Sequence, residues 1–88
     1  MKKIKIFYSE NCPYCEKLIN GLNELNIDFE DINIDTNIGY KKYLKLRNFT
    51  KNDGIPCAIV GNQVIIPDVS YKTIDEAITL IKSLSEDS

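Results

Sequence analysis

The stretch Lys3-Ile4-Lys5-Ile6-Phe7-Tyr8-Ser9-Glu10-Asn11-Cys12-Pro13-Tyr14-Cys15-Glu16-Lys17-Leu18-Ile19 decides how the rest of the chain is read. Its first part alternates, with Ile4 and Ile6 on one face and Phe7 among the residues of the other, which is the period of a strand. Its last part changes period. Cys15, Leu18, Ile19, Leu22 and Leu25 recur at helical spacing, predicting a helix over Pro13–Leu25 after a strand over Lys3–Tyr8. Pro13 suits the first helical turn, where a missing N–H costs nothing. Cys12 therefore falls at the cap, among unpaired backbone N–H groups and the positive end of the helix dipole, an environment that stabilises a thiolate. Cys15 falls on the apolar stripe. A thiolate at the cap with a second thiol one turn later is an arrangement for thiol–disulfide exchange, one sulfur attacking and the other resolving.

Working outward, a second strand is expected around Phe29–Ile34, where Ile32 and Ile34 alternate with polar neighbours. Asp35, Thr36 and Asn37 offer caps for a second helix ending near Asn48, with Ile38, Tyr43, Leu44 and Arg47 in a less regular pattern. Phe49 to Gly54 reads as a polar loop. Cys57–Val60 and Gln63–Ile66 flank the Gly61-Asn62 turn as a hairpin, and Pro67 ends it. Thr73 and Glu76 form a capping box for a last helix whose buried side is Ile74, Ala77, Ile78, Ile81 and Leu84. Gly21, inside the first helix, is a weakness of up to ~1 kcal/mol relative to Ala. The order β-α-β-α-β-β-α implies an α/β fold, a mixed four-stranded sheet flanked by three helices.

Composition narrows the function classes. The 88 residues have room for one domain and one modest core, so a single domain over 1–88 is expected. A net charge of −2, with no basic stripe evident along the chain, argues against nucleic acid. No apolar run approaches the ~20 residues that cross a bilayer, so no membrane association is expected. Met1-Lys2-Lys3 resembles the charged start of a signal peptide, but Ser9-Glu10-Asn11 cuts the apolar segment short, leaving a cytoplasmic location as the expectation. Three cysteines and no histidine are too few for a disulfide-stapled framework, and no spacing suggests a metal site. A monomer without a tightly bound cofactor is expected.

Cys12-Pro13-Tyr14-Cys15 after the first strand, with Gly54-Ile55-Pro56 before the third, resembles the glutaredoxin family of the thioredoxin fold, and the likeness spans essentially the whole chain. The resemblance implies a dithiol thiol–disulfide oxidoreductase in which Cys12 is the nucleophile and Cys15 the resolving thiol. It implies disulfide-containing proteins or glutathione mixed disulfides as substrates. It also implies a cis-proline at Pro56, a main-chain pairing site at Ile55, and Tyr14 lining the cleft. Pro13 and Lys17 are the residues assigned to stabilising the thiolate, with a solvated helix face as the other reading of Lys17. Asp68, with Ser70, is placed to receive the glutathione amine, or is simply a turn residue.

The sequence departs from the family where glutathione is held. Ser9 stands where a cation usually precedes the first cysteine, Asp53 where an arginine usually precedes the cis-proline, and Ile66-Pro67 where a glycine pair allows close approach. Lys41, Lys42 and Lys45 either compensate from the second helix or form a solvated face. Two electron donors therefore remain open, reduced glutathione and a thioredoxin reductase. A third reading, an iron–sulfur carrier, is disfavoured by the rigid Pro13 beside Cys12. Cys57 reads either as a third redox thiol or as a small buried hydrophobe. Strand alternation turns it away from Pro56 and favours the second.

Overall fold

In the computed structural model, which describes residues 3–86, the elements are β1 (Ile4–Tyr8), α1 (Pro13–Glu24), β2 (Glu30–Asn33), α2 (Asn37–Thr50), β3 (Cys57–Val60), β4 (Gln63–Ile65) and α3 (Ile74–Glu86). Met1 and Lys2, the start of the charged lead considered above, lie outside the described residues. The sheet order is β2-β1-β3-β4, with β1 parallel to β2 and antiparallel to β3, and β3 antiparallel to β4. Three helices on a mixed four-stranded sheet is the thioredoxin-like arrangement expected.

The alternation of β1 divides the core in two. Ile4 and Ile6 face Leu18 and Leu22 of α1 and Ile74, Ala77 and Ile81 of α3. Phe7 turns to the other side, where it packs with Ile32, Cys57 and the α2 residues Tyr43 and Leu46. Thus α1 and α3 cover one face and α2 the other. Gly21 has a reason beyond propensity. A Cβ there would run into the Ile78 side chain, so glycine lets α1 and α3 approach closely. Gly39 plays a similar part at the start of α2, where its backbone passes against the Asn33 carbonyl and its N–H donates to the Thr36 cap at 3.0 Å.

Element ends differ from the expectations in instructive ways. β1 starts at Ile4 rather than Lys3, β2 is shorter at both ends, and β4 stops at Ile65 rather than Ile66. α2 continues past Asn48 to Thr50, so Phe49 is helical and not part of a loop. The helix ends where Lys51 adopts a left-handed φ of 61° and its N–H reaches the Arg47 carbonyl at 2.7 Å. Leu25 does not continue the buried stripe of α1; it is the C-cap and is 42% exposed. Ile38 also leaves the core, 71% exposed, and Leu46 takes the inward position in α2. The Thr73–Glu76 capping box forms as expected. The Glu76 N–H donates to Thr73 Oγ1 at 3.2 Å, and Glu76 Oε1 accepts the N–H groups of both Lys72 and Thr73 at 2.9 Å. Among the described residues no helix is long and apolar enough to cross a membrane.

Candidate active site

β1 ends at Tyr8 and α1 begins at Pro13, so the four residues between them carry the chain from the sheet into the helix N-terminus. Cys12 is the N-cap, with extended backbone (φ −114°, ψ 101°), and its Sγ accepts the Cys15 N–H at 3.2 Å. The Cys12 carbonyl accepts the Glu16 N–H at 3.1 Å. Sulfur here takes the role that a serine or aspartate oxygen usually fills at a helix start. Cys12 is half-buried, whereas Cys15, inside the first turn, is 1% exposed. The two sulfurs are joined in a disulfide with the Cα atoms 5.2 Å apart.

A groove of about 460 Å³ opens at the start of α1, reached from the disulfide through Tyr14, and is lined by Tyr14 and Lys17 of α1, by Ile55 and Pro56, and by Tyr71 and Lys72. The Ile55–Pro56 peptide bond is cis. Ile55 lies in a bend just before β3, and among the described residues nothing hydrogen-bonds its N–H or C=O, which leaves one unit of backbone for an incoming chain. Behind it, the Tyr71 hydroxyl donates to the Pro56 carbonyl. The Tyr43 hydroxyl likewise donates to the Asp53 carbonyl, tying the segment ahead of Pro56 to α2. Burial pushes the Tyr71 phenol up to about 12, helped by Cys57 and Asp68, so it remains a donor at neutral pH. Burial raises Tyr43 as well, followed by the influence of Cys57 and Asp53.

Sequence had brought Tyr14, Lys17, Ile55 and Pro56 to one site, and all four line the groove. Asp68 does not. It is exposed at a left-handed φ of 64°, its N–H donates to the Tyr71 carbonyl at 2.9 Å, and its carbonyl accepts Lys72 Nζ at 3.0 Å. The Ser70 hydroxyl is used within the same turn, accepting the Ile66 N–H at 3.1 Å. Lys17 Nζ lies 3.7 Å from the Asp75 carboxylate, both groups well exposed, which makes it a weakly paired surface cation at the rim. Ser9 donates to both oxygens of Asp35, at 3.0 and 3.2 Å, and the Glu10 N–H donates to Asp35 Oδ2 at 3.1 Å. A carboxylate thus braces the loop that leads into Cys12. Cys57 lies in the other core layer, 2% exposed among Phe7, Ile32, Tyr43 and Leu46, and burial pushes its thiol up to about 12.

Comparison with known proteins agrees with this geometry. Residues 4–65 match the family model described as Glutaredoxin. The chain belongs to the glutaredoxin family. It is 32% identical over 63 residues to an uncharacterized glutaredoxin-like 8.6 kDa protein in the rubredoxin operon of Clostridium pasteurianum, covering 72% of this chain and 81% of that one. Among solved structures it is similar to the glutaredoxin of Archaeoglobus fulgidus, with a TM-score of 0.70 at 20% identity, covering 97% of this chain and 87% of that one. It is also similar to a buckwheat glutaredoxin–glutathione complex, with a TM-score of 0.72 at 18% identity, covering 97% and 78%. Glutaredoxin membership and fold support a thiol–disulfide oxidoreductase role.

Within that glutaredoxin frame, three residues at the site were not apparent from sequence. Tyr71 stands in a turn with no periodic pattern, and only the fold brings its hydroxyl under Pro56. Lys72 directly precedes the cap of α3 and enters the groove because that helix starts there. Asp35 was read as one of several caps, but Thr36 is the cap, and the Asp35 carboxylate is spent on the active-site loop.

Proposed function

We propose that the protein is a dithiol oxidoreductase that reduces protein disulfides or glutathione mixed disulfides, with Cys12 attacking and Cys15 resolving. The observation that carries this reading is the asymmetry of the pair: Cys12 Sγ sits at a helix cap receiving an N–H, while Cys15 is buried one turn below. The N–H and the helix N-terminus stabilise negative charge on Cys12. Thiolate attack on a substrate disulfide forms a mixed disulfide and releases one substrate sulfur as a thiolate. Cys15, after losing its proton, attacks Cys12, forms the intramolecular disulfide and releases the second substrate thiol. The Cα separation of 5.2 Å lies within the range that closes a disulfide without moving the backbone. An extended substrate pairs with the free N–H and C=O of Ile55, in the manner of an added strand. Tyr14 and Pro56 hold its apolar parts. The protein acts as a monomer in the cytoplasm, as one domain.

Turnover of hydroxyethyl disulfide, with the oxidised pair regenerated by an external reductant, tests the assignment. Cys12→Ser abolishes reduction. Cys15→Ser stalls on protein disulfides as a trapped mixed disulfide visible by intact mass. Full turnover by Cys12→Ser would overturn the mechanism.

One observation favours a second reading of the electron donor. The Asp35 carboxylate held by Ser9, together with Asp53 ahead of Ile55, disfavours the carboxylates of glutathione, whereas Lys17 and Lys72 in the groove favour them. Regeneration by a thioredoxin reductase is therefore retained beside regeneration by glutathione. The same assay supplied once with glutathione and its reductase, and once with thioredoxin reductase, separates the two.

A further inference from the structure

The cations of this acidic chain are concentrated in one place that the redox site does not use. Residues 41–51 contain five cations and no carboxylate, against a net charge of −2 for the whole chain, so the remainder carries −7. On α2 the residues Ile38, Lys41, Lys42, Lys45 and Phe49 follow one another at i, i+3, i+4, i+7 and i+11, which places them on one flank of the helix, about 16 Å from end to end. All five are exposed, and the two apolar ends are well open to solvent, Ile38 at 71% and Phe49 at 79%. The inward side of the helix is made by Gly39, Tyr43 and Leu46, so the core accounts for none of the row. The run Lys41, Lys42 and Lys45 noted in the sequence lies on this flank, between two exposed apolar residues.

We propose that this flank of α2 docks an acidic patch on the protein whose disulfide or dithiol exchanges with Cys12. The inference rests on Cys12 being the attacking thiol. Position favours it: Asp35, three residues before Ile38, accepts hydrogen bonds from Ser9 and Glu10 in the loop that leads into Cys12. A partner seated on the row therefore has the active-site loop at its edge. Charge selects the class of partner. Three lysines between two apolar anchors match a compact acidic patch with an apolar contact at either end. An extended polyanion, whether a nucleic-acid backbone or an anionic lipid sheet, would run past the row onto the −7 remainder, starting with Glu30 and Asp31 on the neighbouring strand. Lys42 already lies 3.9 Å from Glu30, both exposed, a contact weak enough to be exchanged for a partner carboxylate.

The test uses the full chain, reduced and freed of reductant, in single turnover. The probes are short peptides whose one cysteine is capped as a mixed disulfide with mercaptoethanol and followed by a flexible spacer. The spacer ends in a run of glutamates, serines or lysines. The glutamate peptide is expected to react roughly tenfold faster than the serine peptide at low salt, and the advantage is expected to disappear at high salt. Replacing Lys41, Lys42 and Lys45 together by Glu reverses the ranking, replacing them by Gln flattens it, and neither change alters the rate with hydroxyethyl disulfide. Equal rates for glutamate and serine peptides at low salt would overturn the proposal. So would a ranking unmoved by the lysine replacements. Cosedimentation with phosphatidylserine vesicles, or a gel shift of single-stranded DNA, that depends on these lysines while the peptide ranking is flat would assign the row to a polyanion instead. If hydroxyethyl disulfide itself is not reduced, the oxidoreductase reading fails. Fluorescence anisotropy of a cysteine-free glutamate peptide then decides docking independently: salt-sensitive binding lost in the Glu variant sustains it, and no binding rejects it.

Discussion

The Tyr71 hydroxyl donates a hydrogen bond to the carbonyl of Pro56, joining the turn before α3 to the segment that faces substrate. Both residues are buried, and both also line the groove that Tyr14 borders. Tyr71→Phe keeps the ring but leaves a buried carbonyl without its donor, which costs about 1–3 kcal/mol. The expected outcome is a lower urea midpoint and a raised KM for an extended peptide disulfide, whose main chain must pair beside Pro56. Turnover of hydroxyethyl disulfide, too small to use that pairing, is expected to stay near the wild-type value. An equal loss on both substrates would show that the bond supports only the fold.

Buried thiol and phenol groups set the alkaline limit of stability, Cys57 and Tyr71 most strongly, with Tyr43 raised in the same direction. Burial pushes both the Cys57 thiol and the Tyr71 phenol up to about 12, from ordinary values of 9.0 and 10.0. In each case the unfolded chain loses its proton first as pH rises. Between the ordinary value and the folded one the unfolded state therefore binds fewer protons, and stability falls. The contribution is fully present below the ordinary value and gone above about 12. Urea midpoints measured across this window are expected to decline from near pH 9 in the wild type. In Cys57→Ala the thiol part of the decline is removed, and the fall begins nearer pH 10, where tyrosine takes over. A flat profile in the wild type over that window would contradict the burial of both groups.

Cys57 is also expected to be chemically silent. Its thiol stays protonated at neutral pH and lies across the sheet from Cys12, behind α2. In the reduced protein a brief exposure to iodoacetamide is expected to modify Cys12 first, leave Cys57 untouched, and reach Cys57 only after denaturation. Peptide mapping reads the site directly. Cys57→Ala is accordingly expected to retain full disulfide reductase activity.

What could be read in the sequence was whatever a short period encodes. The change from alternation to helical spacing across Cys12 located the site, and the β1 pattern correctly sent Phe7 and the isoleucines to opposite core layers. The Thr73–Glu76 box was legible because its two hydrogen bonds are made within one helical turn. α2 was harder. Its inward face holds Gly39, Tyr43 and Leu46, of which one has no side chain and one carries a hydroxyl that must reach the Asp53 carbonyl, so the apolar count was too low to outline the stripe. Its end was misplaced because Phe49 and Thr50 are helical without being buried. Tyr71, Lys72 and Asp35 escaped for a different reason: each acts on a residue 15 or more positions away, or in a groove that only the assembled fold creates.

The electron donor turns on the loop ahead of Cys12. Ser9 gives its hydroxyl to Asp35, so the position where the family resemblance implies a cation carries a neutral side chain bound to an anion. Asp35→Asn keeps an acceptor for Ser9 and for the Glu10 N–H but removes the charge, and Ser9→Lys in that background adds a cation free of its would-be partner. The gain is bounded, because an exposed charge contact contributes only ~0–1 kcal/mol, a few-fold in KM. The double variant is therefore expected to lower KM for glutathione by roughly two- to fivefold. Its kcat, and its rate of regeneration by thioredoxin reductase, are expected to change little. Raised salt is expected to erase the gain, since both groups are open to solvent. If KM for glutathione is unmoved in the double variant, the cations that matter are Lys17 and Lys72 in the groove, and replacing Lys72 by Gln raises KM instead.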